Sequence, residues 1–323
     1  MTFKGRALYN LLRFSPQEEK NVQVKPWQVL DYRLAKEEEL FKSLEELGVV
    51  VGKQMFLLYA ESQESPEDLL DFLWIDEEDS LGQERAYLVI FELWRRLVPA
   101  KKSLSVFCDE LDHAIAGYDG NEKGVDERVS LLLDELENIV DEAVDHGADV
   151  GEILPMISEH SAHDIEPFLY DYISDQIVLG NEVYASELLD GFYSYVADRA
   201  WFDFLRARLF ALSDPKEGDI LLLRLLELLE EEPDLQLLLE ICGFLINRGD
   251  LSLFRRAAHI ALTFIENEED FQDLLFSVAD FYRFLDQDAK ELQVRAMIKN
   301  RENHDREASI SSTDKQVVKD LLS

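Results

Sequence analysis

Apolar residues in this chain recur at steps of three and four along most of its length, and strict alternation is rare. In the segment 80–98, for example, Leu81, Tyr87, Leu88, Phe91, Trp94 and Leu97 fall on one stripe. That spacing matches a helix, with its turn of about 3.6 residues, and not a strand, whose side chains alternate. It predicts an all-α fold, a multi-helix array in which the C-terminal half stacks solenoid-like helical hairpins. The longest apolar runs are short and interrupted by acids, so no membrane span is expected.

Breakers divide the pattern. Ser15-Pro16 ends an amphipathic segment from Phe3 to Phe14 that carries Leu8, Leu11 and Leu12 on one face, and an extended stretch is expected over 17–26. Glu37-Glu38-Glu39 precede Leu40, Leu44 and Leu47, and Gly48 closes that helix. Ser65-Pro66-Glu67-Asp68 is a helix start, with proline in the first turn and acids complementing the helix dipole. Further helices are predicted over Ser80–Val98, Ser103–Ala116 and Val125–His146, with an irregular stretch from 148 to Pro167. The glycine-rich Gly117–Gly124 is the strongest internal boundary. The organisation expected is a basic N-terminal arm (1–33), an N-terminal helical domain (34–124), a C-terminal helical array (125–303) and a mobile polar tail (304–323), with a short docking helix from Gln316 to Leu322.

Charge narrows the function. The 323 residues include 68 Asp and Glu against 32 Lys and Arg, a formal net charge of −36. Such a surface repels phosphates, so no direct nucleic-acid binding is expected. It favours a basic peptide or a basic face of another protein. The arm has the opposite sign, with six basic residues (Lys4, Arg6, Arg13, Lys20, Lys25, Arg33) against Glu18, Glu19 and Asp31. Between Glu61 and Asp79 lie nine acids and no base, so the arm is expected to fold back there, held by Phe3, Leu8, Leu11, Leu12 and Trp27. Cys108 and Cys242 sit in apolar helical contexts with no Cys-x-x-Cys, and the first 14 residues lack a continuous apolar core. Buried thiols and a cytoplasmic setting follow as expectations.

From Pro215 onward the breakers are spaced so that each interval holds one helix. The polar residues Gln236, Glu240 and Asn247, with Gly243 between, form a narrow stripe, as do Asp273, Ser277 and Asp280. A helix with one narrow wet stripe is packed on most sides. Within residues 250–300, Leu275 to Tyr282, with Ala279 between them, resembles the first helix of a tetratricopeptide repeat. Phe254, Ala257, Ala258, Ala261 and Phe264 are loosely similar to a second repeat helix. Glu291 and Arg295 depart from the family, standing where it has a small residue and an aromatic. The resemblance implies a helical-repeat scaffold that binds other proteins.

No phosphate-binding glycine loop, Gly-x-Ser-x-Gly or His-Glu-x-x-His occurs. Glu110-Leu-Asp-His113 has the Glu-x-x-His spacing of carboxylate-bridged metal bundles, but a second copy is missing. His160, His163 and Asp164 crowd one short segment, and the His163-Asp164 pair resembles the dyad of metal-dependent phosphohydrolases. These residues support a metal-dependent helical enzyme, a hydrolase or di-metal oxidase using His113, His160 and His163, as one alternative. An acidic mimic of nucleic acid is another. The leading expectation is a non-enzymatic adaptor, chaperone or regulator without a cofactor. Between Phe168 and Phe210 lie 11 aromatic residues. Asp190, Tyr193, Tyr195, Asp198 and Trp201 are the candidate partner-binding residues there, since aromatic faces hold cations and acids add charge.

Overall fold

The computed structural model describes residues 6–14, 24–75 and 78–322. The expected extended stretch over 17–23, together with Phe3, Lys4, Lys20, Asp76 and Glu77, lies outside them. Among the described residues there are seventeen α-helices and no strand, and an isolated bridge joins Asn267 to Ser309. None of these helices is long and apolar enough to cross a membrane. The chain forms two compact units, Met1–Asp171 with Ser194–Ala197, and Tyr172–Tyr193 with Asp198–Ser323. The segment 117–124 lies within the first.

The first unit runs through α1 (Ala7–Phe14), α2 (Glu37–Glu46), α3 (Lys53–Ala60), α4 (Pro66–Leu73), α5 (Ser80–Leu97), α6 (Leu104–Asp119), α7 (Val125–Asp145) and α8 (Val150–Ser158). Two 3-10 turns, Pro26–Gln28 and Tyr32–Leu34, link α1 to α2. Several starts follow from caps legible in the sequence. Ser65 accepts from the Asp68 amide, Asp79 from Gly82 and Ser103 from Val106. Gly48 and Gly147 close α2 and α7 at φ +89° and +90°, a conformation costly for other residues. The centre of the unit is α5, buried without interruption from Ala86 to Trp94, with α2 and α4 packed on it. Helix α6 carries α1 and α7. The stretch expected to be irregular between 148 and Pro167 is instead α8, followed by the start of α9 (Ile165–Val178). Pro155 forfeits one backbone bond there, but Asp149 caps α8 and Ile153, Leu154 and Ile157 are buried, which is enough to hold it.

The second unit comprises α10 (Glu182–Phe192), α11 (Arg199–Ser213), α12 (Pro215–Glu231), α13 (Leu235–Ile246), α14 (Leu251–Phe264), α15 (Glu268–Phe284), α16 (Asp288–Arg301) and α17 (Ser312–Leu322). Adjacent helices pair as hairpins, α11 with α12, α13 with α14 and α15 with α16. The hairpins also touch their neighbours, α12 against α14 and α13 against α15. The stacked rings of Phe254 and Phe281, 3.9 Å apart, tie α14 to α15. Leu275, Ala279 and Tyr282 are all fully buried, as are Phe254, Ala257, Ala258 and Ala261. This packing in adjacent pairs is compatible with a helical-repeat architecture. Helix α17 begins earlier than the expected docking segment and lies against α14 with Val318 and Leu322 buried.

Candidate functional site

Charge is buried most densely on α6. Asp109 and Asp112, one turn apart, have fully buried side chains in a helix otherwise rich in Val, Phe, Cys, Leu and Ile. A buried carboxylate is tolerated only with partners. Asp109 receives Arg6 Nε at 2.8 Å and Arg33 Nη2 at 2.5 Å. Burial alone would raise its pKa, but these two guanidinium groups outweigh burial and hold the carboxyl far below the usual range. Asp112 accepts from the Ala162 amide at 2.8 Å and from the His163 amide at 3.2 Å. Asn10 Nδ2 bridges the two acids, 3.0 Å from each.

Among the described residues the arm therefore docks on α6, at acids other than the 61–79 run that the sequence pointed to. Its inward face keeps Leu12 of the expected apolar stripe but otherwise differs from it. Arg6, Tyr9, Asn10 and Leu12 are buried, while Leu8 is 39% exposed. Two sealed carboxylates select the polar side of α1 because their need for donors exceeds the gain from covering one leucine. Tyr9 completes the contact through its hydroxyl, which donates to Glu84 at 3.3 Å. The sequence signal for this seat was present but went unused: Asp109 and Asp112 stand at helical spacing inside an apolar segment, in an acidic chain whose arm is basic.

The network continues outward. Glu110 is held by Arg33 at 2.8 Å, Arg128 at 2.5 Å and Arg95 at 3.4 Å. Burial opposes its ionisation, and the three arginines overcome that and lower its pKa. Glu92, fully buried on α5, pairs with Arg95 and Arg96. Arg96 then donates to the carbonyls of Ala35 at 2.8 Å and Tyr32 at 2.9 Å, which fixes the 3-10 turn that carries Arg33.

The metal-candidate residues are placed within this network. His113 Nδ1 donates to the Asp109 carbonyl at 2.7 Å, and Nε2 faces Arg13 at 3.4 Å. Both ring nitrogens are thus engaged by protein groups, and Glu110 is taken by arginines. His163 Nδ1 lies 3.2 Å from Asp112. His160 follows the end of α8, and the Asp164 carbonyl accepts from the Phe168 amide at the start of α9. Among the described residues no group of three or more His, Cys, Asp or Glu is arranged to hold a metal ion. The thiols of Cys108 and Cys242 are buried, and burial pushes both up to about 12.

Of the candidate partner-binding residues, Asp190, Tyr193, Asp198 and Trp201 belong to the second unit and Tyr195 to the first. Arg206 lies over the Tyr193 ring at 4.3 Å and reaches Asp190 at 3.3 Å, and the Tyr193 hydroxyl donates to Asp203 at 2.8 Å. This corner already holds a cation, one supplied by the chain. Trp201 Nε1 donates at 2.7 Å to Asp234, the residue that caps α13. Asp190 and Asp198 are exposed. Tyr195 is buried and bonds to Asp141.

On α15 acid and aromatic groups share the solvent side. Asp273, Phe276 and Phe284 are exposed, with Ser277 and Asp280 half-buried between them. The Asp273 carboxyl is raised by partial burial and then by its neighbours Asp270 and Glu269. Arg306 pairs with Glu269 at 3.0 Å and Gln236 reaches Asp270 at 3.3 Å. Phe276, one turn beyond Asp273, leaves 46% of its surface in water. Sequence reasoning found the polar members of this stripe and missed its two rings.

The fold and its chemistry define an acidic, all-α protein of packed helical hairpins whose interior charges are largely engaged by one another. No family model matches the chain, and neither a curated protein nor a solved structure does.

Proposed function

We propose that this chain is a non-enzymatic adaptor, chaperone or regulator that grips a basic segment of another protein on the exposed face of α15. The observation behind the proposal is Asp273, an acid crowded by Asp270 and Glu269 and set one turn from the half-exposed Phe276 ring. An arriving lysine or arginine relieves the repulsion among these acids and finds a ring face beside them. Phe276 and Phe284 supply apolar area that charge alone lacks. At Tyr193 a partner's arginine has to displace Arg206 from the ring itself, whereas on α15 the chain's own Arg306 pairs with Glu269 and not with Asp273.

The hairpins that carry this face are read as tetratricopeptide-like repeats. Three successive pairs begin at Arg199, Leu235 and Glu268, 36 and 33 residues apart. Such stacks serve mainly as scaffolds that present extended surfaces to other chains.

A lysine- and arginine-rich amphipathic peptide, titrated into the protein in about 50 mM and then about 500 mM salt, tests the proposal. Binding should weaken sharply with salt, and Asp273→Asn with Phe276→Ser should weaken it about tenfold, or about 1.4 kcal/mol. Unchanged affinity in that variant removes α15 as the site. Failure of basic peptides and basic proteins alike to bind the wild type removes the function.

A further inference from the structure

The seat of α1 has the makings of a receptor site. Arg6, just before the helix, and Asn10, Arg13 and Phe14 within it point into the seat. Arg6 bonds to Asp109 and lies over the Phe91 ring at 4.8 Å. Asn10 bridges Asp109 and Asp112. Arg13 meets Asp31 at 3.0 Å and the His113 ring at 3.4 Å. Phe14 stands edge-on to His113 at 5.1 Å and against His163 at 5.4 Å. Apart from Asp31, which the arm itself supplies, every receiving group belongs to the body of the first unit. Without α1, Asp109 keeps Arg33, and Asp112 keeps His163 and two backbone amides but no arginine.

The fit of α1 is also incomplete. Among the described residues, the buried atoms Arg6 Nη1 and Asn10 Oδ1 have no hydrogen-bond partner, so each carries a desolvation penalty. A helix of eight residues, packed chiefly on one neighbour, cannot spread that penalty over a large interface. Such a segment opens locally at lower cost than the core around α5.

We propose that the surface of α6 bearing Asp109 and Asp112 is a docking site for a basic amphipathic helix of a partner protein, and that α1 occupies it as an intramolecular stand-in. The partner helix carries an arginine, a donor side chain four residues on, and an arginine and an aromatic residue seven and eight residues on. Its Arg and aromatic groups take over the contacts of Arg6, Arg13 and Phe14. The site shares no residue with the α15 face and stands whether or not that face binds anything. Competition by α1 sets how strongly a partner must bind, since the seat is free only in the fraction of molecules whose arm has left.

A fluorescent peptide with the sequence of residues 1–14 probes the seat by anisotropy, using the full-length chain. Full-length Arg6→Ala/Asn10→Ala, whose own arm has lost both buried anchors, should bind this peptide at least tenfold more tightly than wild type does. A peptide with both arginines changed to glutamate should bind neither protein. Equal affinity of the two proteins, or no preference between the peptides, overturns the proposal. Hydrogen exchange of the unaltered protein provides the second test, which does not depend on the variant folding. The α1 amides should exchange at least a hundredfold faster than those of Ala86–Trp94. Equal protection means that the arm leaves only when the whole unit unfolds, and the proposal fails.

Discussion

Arg6 and Asp109 sit 2.8 Å apart with both side chains shut away from water, so the N-terminal arm enters the first unit as an ion pair. Breaking such a pair from one side leaves an uncompensated charge inside. Asp109→Ala strands Arg6 and removes an anchor of Arg33 together. It should lower the unfolding free energy by about 3–5 kcal/mol, read from urea denaturation at unchanged slope. A loss below about 1 kcal/mol would mean that the pair is solvated.

His113 gives the same region a response to pH. Its pKa is lowered first by burial and then by Arg33 and Arg13, against the pull of Asp109. The unfolded chain binds its proton near pH 6.5, before the folded chain does, so this group costs stability as pH falls below about 6.5. Repulsion among the surface acids relaxes over the same range, so the informative quantity is the difference from a variant. His113→Gln should gain stability relative to wild type between pH 7 and pH 5. A difference that stays constant with pH refutes the assignment. Asp109 acts lower down. Its depressed pKa stabilises the fold above the ordinary carboxylate range, and that contribution is lost only as pH falls through the folded value.

Gly218 brings α12 close against Ala211 of α11. A Cβ there would meet the Ala211 backbone at 2.8 Å. Gly218→Ala should therefore destabilise the second unit by about 1–3 kcal/mol. At an open helical site the same change should stabilise by up to about 1 kcal/mol. Calorimetry decides the sign, and a raised melting temperature would show that the two helices do not approach so closely.

The C-terminal helix is tied down by Tyr282, whose hydroxyl donates to the Leu321 carbonyl at 2.6 Å. Lys290 donates to the same carbonyl at 3.0 Å, so Tyr282→Phe leaves that oxygen partnered. The expected loss is small, about 0.5–1 kcal/mol, and should speed hydrogen exchange in α17 more than elsewhere. Uniform acceleration through the second unit would assign Tyr282 to general packing.

Much of the helical scaffold can be read from local sequence because its causes are local. Ser80–Val98, Ser103–Ala116 and Val125–His146 are expected from periodicity and caps, and α5, α6 and α7 fall within three residues of those bounds. The wet stripe of α13 is legible in the same way, with Gln236, Glu240 and Asn247 facing solvent. Helix α8 is not, because Pro155 and Gly151 within it and Gly147 before it speak against a helix that burial of Ile153, Leu154 and Ile157 sustains together with the Asp149 cap.

By itself the sequence determined an acidic, helical chain, since a period of three to four and an excess of Asp and Glu are properties of neighbouring residues and of simple sums. It also determined that a basic arm precedes an acidic body. Only the tertiary structure decided which acids the arm meets. Asp109 and Asp112 carry the same charge as every acid in the 61–79 run, and what distinguishes them is burial, which strengthens an ion pair and forbids an unpaired one. Burial depends on α7 and, from distant parts of the chain, on α1 and the Ala162–His163 amides. For the same reason Arg6 and Asn10 turn inward on α1 while Leu8 faces water.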